Sequence, residues 1–292
     1  LATLVGDNLA ALAPAQAPAP AQSITEAAAK AKPAKSKKQE KSEAKDDVPV
    51  EVRKRVEELL RDGSRTPELG LFGRMIADAP AWNVDAACQV AHAISTHRVS
   101  MEFDFYTAID DLKREDATGS DMMGTIPFNS ACFYRYLVVG LDDLTRNLGG
   151  DAAAREQAKK TLAALLRAAV LAIPSGKQNS MAAHNPPSFI LTDVRDGGAP
   201  RSLSNAFVDP VRPTRGDHAD LLSQSVLRLG KQLKALDDVY SAEGRKDLSF
   251  CVVDPDKSLA SGFSDAAAHA TERESLAELV KAATDAAFPG LA

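Results

Sequence analysis

VAHAISTHRVSMEFDFYTAIDDLKREDATGSDMMGTIPFNSACFYRYLVVGLDDL, from Val90 to Leu144, is the stretch on which the fold turns. Two apolar, β-prone flanks enclose a polar tip. The outgoing flank runs Phe103-Asp104-Phe105-Tyr106-Thr107-Ala108-Ile109. The tip, Glu115-Asp116-Ala117-Thr118-Gly119-Ser120-Asp121, is rich in turn-forming residues. The return flank starts at Met122-Met123-Gly124-Thr125 and runs on to Tyr136-Leu137-Val138-Val139. The pattern predicts a long β-hairpin or hairpin-like protrusion at about residues 103–126. Phe103, Phe105, Tyr106, Phe128 and Phe133 lie on or near it, as do Met101, Met122 and Met123. Aromatic rings stack on nucleobases, and methionines fill irregular gaps or wedge between flat partners.

That clustering carries weight because aromatics make up only 5% of the 292 residues. Hydrophobic residues make up 45%, enough for a sizeable core. The net charge is −5. This is the wrong sign for a protein whose whole surface grips nucleic acid, although it leaves room for a local basic groove. Cys88, Cys132 and Cys251 are far apart and form no CxxC pair, so zinc-ribbon and thioredoxin readings fail. A sparse, odd cysteine count suits reduced thiols in the cytoplasm. No run of 18 apolar residues is present, so no transmembrane helix is predicted. The first residues lack a charged segment followed by an apolar one, and no signal peptide is predicted. With Leu1 in first place, the chain is expected to begin inside a longer protein.

Residues 1–13 read as the end of a helix, with Leu4, Val5, Leu9 and Leu12 on one face. Residues 14–50 form an Ala/Pro/Lys segment without apolar periodicity, predicted to be a disordered linker. Its seven lysines between Lys30 and Lys45 are diluted by Glu40, Glu43, Asp46 and Asp47, which favours a solvated insertion over a phosphate-binding arm. A globular unit is expected over 51–292. It opens with a helix over Glu51–Arg61 and a strand at Leu69–Met75 whose glycines permit close backbone approach. Alternation at Cys88, Val90, His92 and Ile94 favours another strand. Tyr134–Val139 reads as a strand, and Leu141–Leu148 as a helix-like turn. Asp151 caps a helix over 152–172, Asp217 one that runs to about Tyr240, and Thr271-x-x-Glu274 the last one. Phe189-Ile190-Leu191 and Phe250–Val253 are further strands. The order of elements suits an α+β layer, helices packed on an antiparallel sheet.

Few residues invite chemistry. His92 and His97 diverge on either a strand or a helix, and no third ligand lies near, so packing or a polar contact is expected of them. Asp110-Asp111 could hold a metal in a nuclease, but neighbours on a strand point to opposite faces. On the residues alone, Met75 reads as a buried methionine and Arg74 as a surface cation. Lys177-Gln178-Asn179-Ser180 reads equally as an ordinary polar loop or as a binding loop.

The runs Phe72-Gly73-Arg74-Met75, Ala91-His92-Ala93-Ile94-Ser95-Thr96-His97, Phe105-Tyr106-Thr107-Ala108-Ile109-Asp110-Asp111-Leu112 and Phe133-Tyr134-Arg135-Tyr136 resemble, in order and spacing, the CasC family. Pro174-Ser175-Gly176-Lys177-Gln178 and Leu203-Ser204-Asn205-Ala206-Phe207 extend the resemblance over roughly Pro67 to Pro210. CasC proteins are the crRNA-binding backbone subunits of the type I-E Cascade complex of CRISPR immunity. The resemblance implies a modified ferredoxin-like (RRM-like) palm with a helical finger region and a protruding thumb. It implies a non-catalytic antiviral protein that needs no cofactor. Its partners would be crRNA, copies of itself in a filament, other Cascade subunits and, indirectly, target DNA. By the same resemblance Arg74, Met75, Phe105, Tyr106, Thr107, Met123, Thr125 and Lys177 would touch RNA. Related type III backbones cleave RNA with a thumb aspartate, which keeps a metal-dependent endoribonuclease as an alternative; a structural protein that assembles without RNA is another. The family's opening palm strand and basic Ser-Gln-Lys-Arg helix have no counterpart in the chain, so weak RNA binding by these residues alone is expected.

Overall fold

A computed structural model describes residues 65–77, 79–108, 122–213, 220–255 and 258–291, with isolated helical positions at 51, 54, 55 and 58. The segments expected over 1–13 and 14–50, most of the Glu51–Arg61 helix, the Asp110-Asp111 pair, the hairpin tip and Asp217 lie outside the described residues.

The predicted hairpin is present, and it is longer than its tip suggested. Strands β1 (Cys88–Val90), β2 (Ile94–Ser95) and β3 (Glu102–Ala108) run outward. Strands β4 (Met122–Phe128), β5 (Phe133–Tyr134) and β6 (Leu137–Val139) return. They pair antiparallel and nested, β1 with β6, β2 with β5 and β3 with β4. The register moves from Val90↔Leu137 to Ile94↔Tyr134 and from Ser95↔Phe133 to Glu102↔Phe128. The outgoing strand therefore carries one extra residue at the first break and two at the second. Such bulges bend a ribbon and re-aim what lies beyond. They also explain why Tyr134–Val139, expected as one strand, is two: Arg135 and Tyr136 fall in the first break.

Two cores hold the ribbon's base. The first gathers Leu71, Cys88, Leu144, Leu148, Ala158, Leu162 and Phe288. It joins α1 (Pro67–Phe72), β1, α2 (Leu141–Asn147) and α3 (Ala152–Leu171). Asp151 caps α3 as predicted, its carboxylate accepting from the Ala154 N–H at 2.7 Å. The second core surrounds a three-stranded sheet, β7 (Phe189–Arg195), β8 (Arg245–Val252) and β9 (Thr271–Glu272), with β8 central. Helices α5 (Leu221–Tyr240) and α6 (Ser258–Ala266) supply Val226, Leu229, Leu233, Leu259 and Phe263 against Leu248 and Phe250. Phe189, Phe250 and Phe263 pack ring on ring at 4.8–5.7 Å. At Gly230 of α5 a Cβ would come within 2.7 Å of Ala266 Cβ, so only glycine lets α5 and α6 approach this closely. Ser249 points to the opposite sheet face and is also fully buried. The last helix, α7 (Leu276–Ala287), lies against β7, β8 and α3 and so links the two cores. Between α3 and β7 a one-turn helix, α4 (Gln178–Met181), interrupts the connection.

Three local expectations are corrected. Leu69–Met75 is not a strand: Thr66 accepts from Leu69 N–H, Pro67 occupies the first helical turn, and the residues to Phe72 wind into α1. Gly73 then stops the helix at φ 71°. The cap of α5 is Asp220, whose side chain accepts from Ser223 N–H at 2.9 Å. The cap of α7 is Ser275, one turn later than Thr271; Glu278 donates its N–H to Ser275 Oγ at 3.2 Å. Thr271-Glu272 is β9, paired in parallel with Ser249 and Phe250.

Candidate nucleic-acid interface

The pairing of β3 with β4 sorts the hairpin's side chains. Phe103, Phe105 and Thr107 lie opposite Pro127, Thr125 and Met123 and share one face. Glu102, Asp104, Tyr106 and Ala108 share the other with Phe128, Ile126, Gly124 and Met122. Every residue of β3 is exposed. The first face bears no charge, and Phe103, Phe105 and Met123 are 69%, 63% and 67% exposed. Large apolar side chains held this far into water mark a surface built to be covered.

Four of the expected contact residues, Phe105, Thr107, Met123 and Thr125, therefore stand together on the uncharged face. Tyr106 does not join them. Its ring lies over Gly124, where an added Cβ would meet the phenol at 2.8–2.9 Å. The ring covers the strand backbone that glycine leaves bare and shares its face with two carboxylates. Sequence reasoning missed Phe103 and Pro127 as members of the uncharged face. The period-two alternation from Phe105 would have found Phe103, and the pairing register brings in Pro127.

Met75 is 86% exposed, the opposite of the buried methionine that residue statistics favoured. Its backbone is held by the turn after α1. Arg74 and Val84 exchange both main-chain hydrogen bonds at 2.9 Å. The Arg74 guanidinium donates to the Trp82 carbonyl through Nε at 3.0 Å and Nη2 at 2.8 Å. At Gly73 a Cβ would lie 2.5 Å from the Val84 oxygen. Arg74 thus buttresses the turn that presents Met75. Phe72, Met75, Asn83 and Asp85 line an open hollow there. Lys177 is exposed, with φ 58°, and its carbonyl accepts from Ser180 and Met181 N–H at the start of α4. Left-handed backbone at a non-glycine residue is unusual, and Ala182 at the other end of α4 shares it.

The histidines do not converge. His92 is exposed, whereas His97 bonds to main chain through both ring nitrogens. Among the described residues no three His, Cys, Asp or Glu side chains come together where they could hold a metal ion. Among them, too, no helix is long and apolar enough to cross a membrane.

The model of the CT1975-like protein family matches residues 3–282, nearly the whole chain, and the chain belongs to that family. Among solved structures, a chain of a "CRISPR RNA-guided surveillance complex, pre-nicking" is 34% identical with a TM-score of 0.65. That match covers 80% of this chain and 58% of the other, so the chain spans less than two thirds of that relative's length. A chain of a "CRISPR RNA-guided surveillance complex" is 33% identical with a TM-score of 0.62, covering 80% of this chain and 82% of the other. None of the curated proteins matches.

Proposed function

We propose that this member of the CT1975-like protein family is a crRNA-binding backbone subunit of a CRISPR RNA-guided surveillance complex. The family match and the two structural relatives support that role. The finer reading is a type I-E backbone with a ferredoxin-like palm, acting in the cytoplasm as a binding protein without catalysis. Copies line up along the guide RNA beside the other subunits, and each hairpin displaces one base of its neighbour's segment at regular intervals. The bases between stay free to pair with target DNA.

The observation that carries the mechanism is the uncharged, fully exposed face of the hairpin. A wedge that opens a base stack must be apolar, because it replaces stacking that costs a few kcal/mol per step to break. Phe103, Phe105 and Met123 supply that surface, and Thr107 and Thr125 supply hydroxyls beside them. Met75 offers a second apolar contact, and Lys177 a cation for phosphate. The test is co-purification of the full-length protein with the other subunits, followed by a denaturing gel of the extracted nucleic acid. A discrete short RNA of repeat–spacer sequence is the expected result. Assembly of the same complex without RNA would overturn the reading.

A further inference from the structure

All seven residues of β3 are exposed. The direction in which the hairpin leaves is set in part where β2 and β5 give way to β3 and β4. That is the second break in register, where the outgoing strand carries two extra residues. A bulge disrupts the ladder locally, so main-chain groups beside it have to find other partners. At Cys132 the missing partner is supplied by a side chain: the Cys132 N–H donates to His97 Nε2 at 3.2 Å. Because Nε2 accepts, the ring proton sits on Nδ1, which donates to the Arg98 carbonyl at 2.9 Å. The imidazole thus spans the gap between the two strands.

His97 and its neighbour Thr96 tie the root to the second core. His97 forms an isolated parallel bridge with Val211, and Val211 N–H donates to the Thr96 carbonyl at 2.9 Å. Thr96 is buried, and its hydroxyl meets Ser225 Oγ of α5 at 2.9 Å. Thr96 N–H donates to the Cys132 carbonyl at 2.9 Å. The outgoing strand is therefore pinned to Val211 by main chain and to Ser225 of α5 by the Thr96 hydroxyl. The returning strand is pinned to it across the bulge by Thr96 and by the His97 ring.

We infer that His97 is a positioning residue, a staple that fixes the angle at which the hairpin leaves the molecule. It touches no base. It replaces a main-chain ladder bond at the second of the two breaks, the larger one. The inference rests on the reading of the hairpin as a base wedge only for its functional consequence; the staple itself is a claim about the protein alone.

Amide hydrogen exchange on the full-length protein tests it. Replacing His97→Leu removes both ring contacts and should speed exchange of the Cys132 amide roughly five-fold, the worth of one hydrogen bond. Amides of β7 and β8 should stay unchanged. His97→Gln keeps one acceptor and one donor at similar reach and should restore slow exchange at Cys132. Wild-type exchange in the leucine variant would overturn the inference. So would a glutamine variant as fast as leucine, and that comparison stands even if leucine loosens the whole fold. A second arm uses single-stranded RNA carrying 2-aminopurine, whose fluorescence rises on unstacking. Per RNA bound, the leucine variant should give a smaller rise than wild type and the glutamine variant an equal one. If wild type itself gives no rise, the wedge reading falls, while the exchange measurement still decides the role of His97.

Discussion

Phe105 and Tyr106 are neighbours in sequence and opposites in structure. Phe105 projects from the uncharged face, whereas Tyr106 covers Gly124 beside Glu102 and Asp104. Replacing Phe105→Ala should weaken RNA binding by about 1–3 kcal/mol, the usual worth of one stacked base. Tyr106→Ala should cost less affinity and instead loosen the β3–β4 pairing, because its ring packs on strand backbone. Fluorescence anisotropy with labelled single-stranded RNA measures the first effect, and amide exchange across β3 and β4 measures the second. Equal losses of affinity in both variants would mean that the two faces do not divide the work. At this scale the sequence was legible in kind but not in orientation. Aromatics flanking a turn announce a hairpin, yet only the register decides which of them share a face. Met75 shows the complementary limit. Methionine is usually buried, and nothing in Gly-Arg-Met says that Arg74 will reach back to the Trp82 carbonyl and hold the next side chain out in water.

Caps and breaks decide where each element begins. Ser275 accepts from Glu278 N–H, and Glu278 Oε2 accepts from Glu274 N–H at 3.1 Å. Ser275→Ala should therefore destabilise the protein by about 1 kcal/mol. Thr271→Ala, in β9, should cost only a few tenths, since it lies on a two-residue exposed strand. Urea titration separates the two, and a larger loss at Thr271 would contradict the cap assignment. The sequence offers both Thr271-x-x-Glu274 and Ser275-x-x-Glu278, and local pattern cannot rank them. The choice falls to tertiary pairing, because β9 joins β8 and delays the helix by one turn. Capping, by contrast, explains why Leu69–Met75 is not a strand. Its glycines suggested close backbone approach, which occurs at Gly73, but Thr66 and Pro67 had already started a helix. Long periodic segments such as α3 and α5 were legible, because an apolar stripe over 20 residues repeats the same information many times.

Over the whole molecule, charge is spread unevenly, and two consequences follow from where it sits. Asp237 of α5 accepts from Arg245 at 2.6 and 2.9 Å, from Arg201 at 3.0 Å and from Arg195 at 3.4 Å, and His269 lies beside it. Its side chain is only 9% exposed. Burial by itself would push its carboxyl up, but the hydrogen bond and charge of Arg245, with His269 and Arg195, hold it below the usual range. A carboxylate depressed in the folded state stabilises fully above its unfolded pKa of about 4, and that contribution disappears as pH falls through the folded value. Asp237→Asn should therefore cost about 3 kcal/mol or more at neutral pH and flatten the acid limb below pH ~4. Thermal unfolding between pH 3 and 7 checks this; parallel curves for variant and wild type would refute it. This cluster joins β7, β8 and α5, whereas the β3–β4 face that bears Phe103, Phe105 and Met123 carries no charge. The total of −5 also opposes RNA at long range, so attraction must come from few cations and from stacking. The two parts separate in a salt series. Phe105→Ala should lower affinity equally at every salt concentration and leave the slope of log affinity against log salt unchanged. Lys177→Ala, removing one phosphate partner, should make that slope shallower by about 0.7. If Phe105→Ala changed the slope instead, the uncharged face would be acting through displaced phosphate contacts, and the wedge would have to be sought elsewhere on the ribbon.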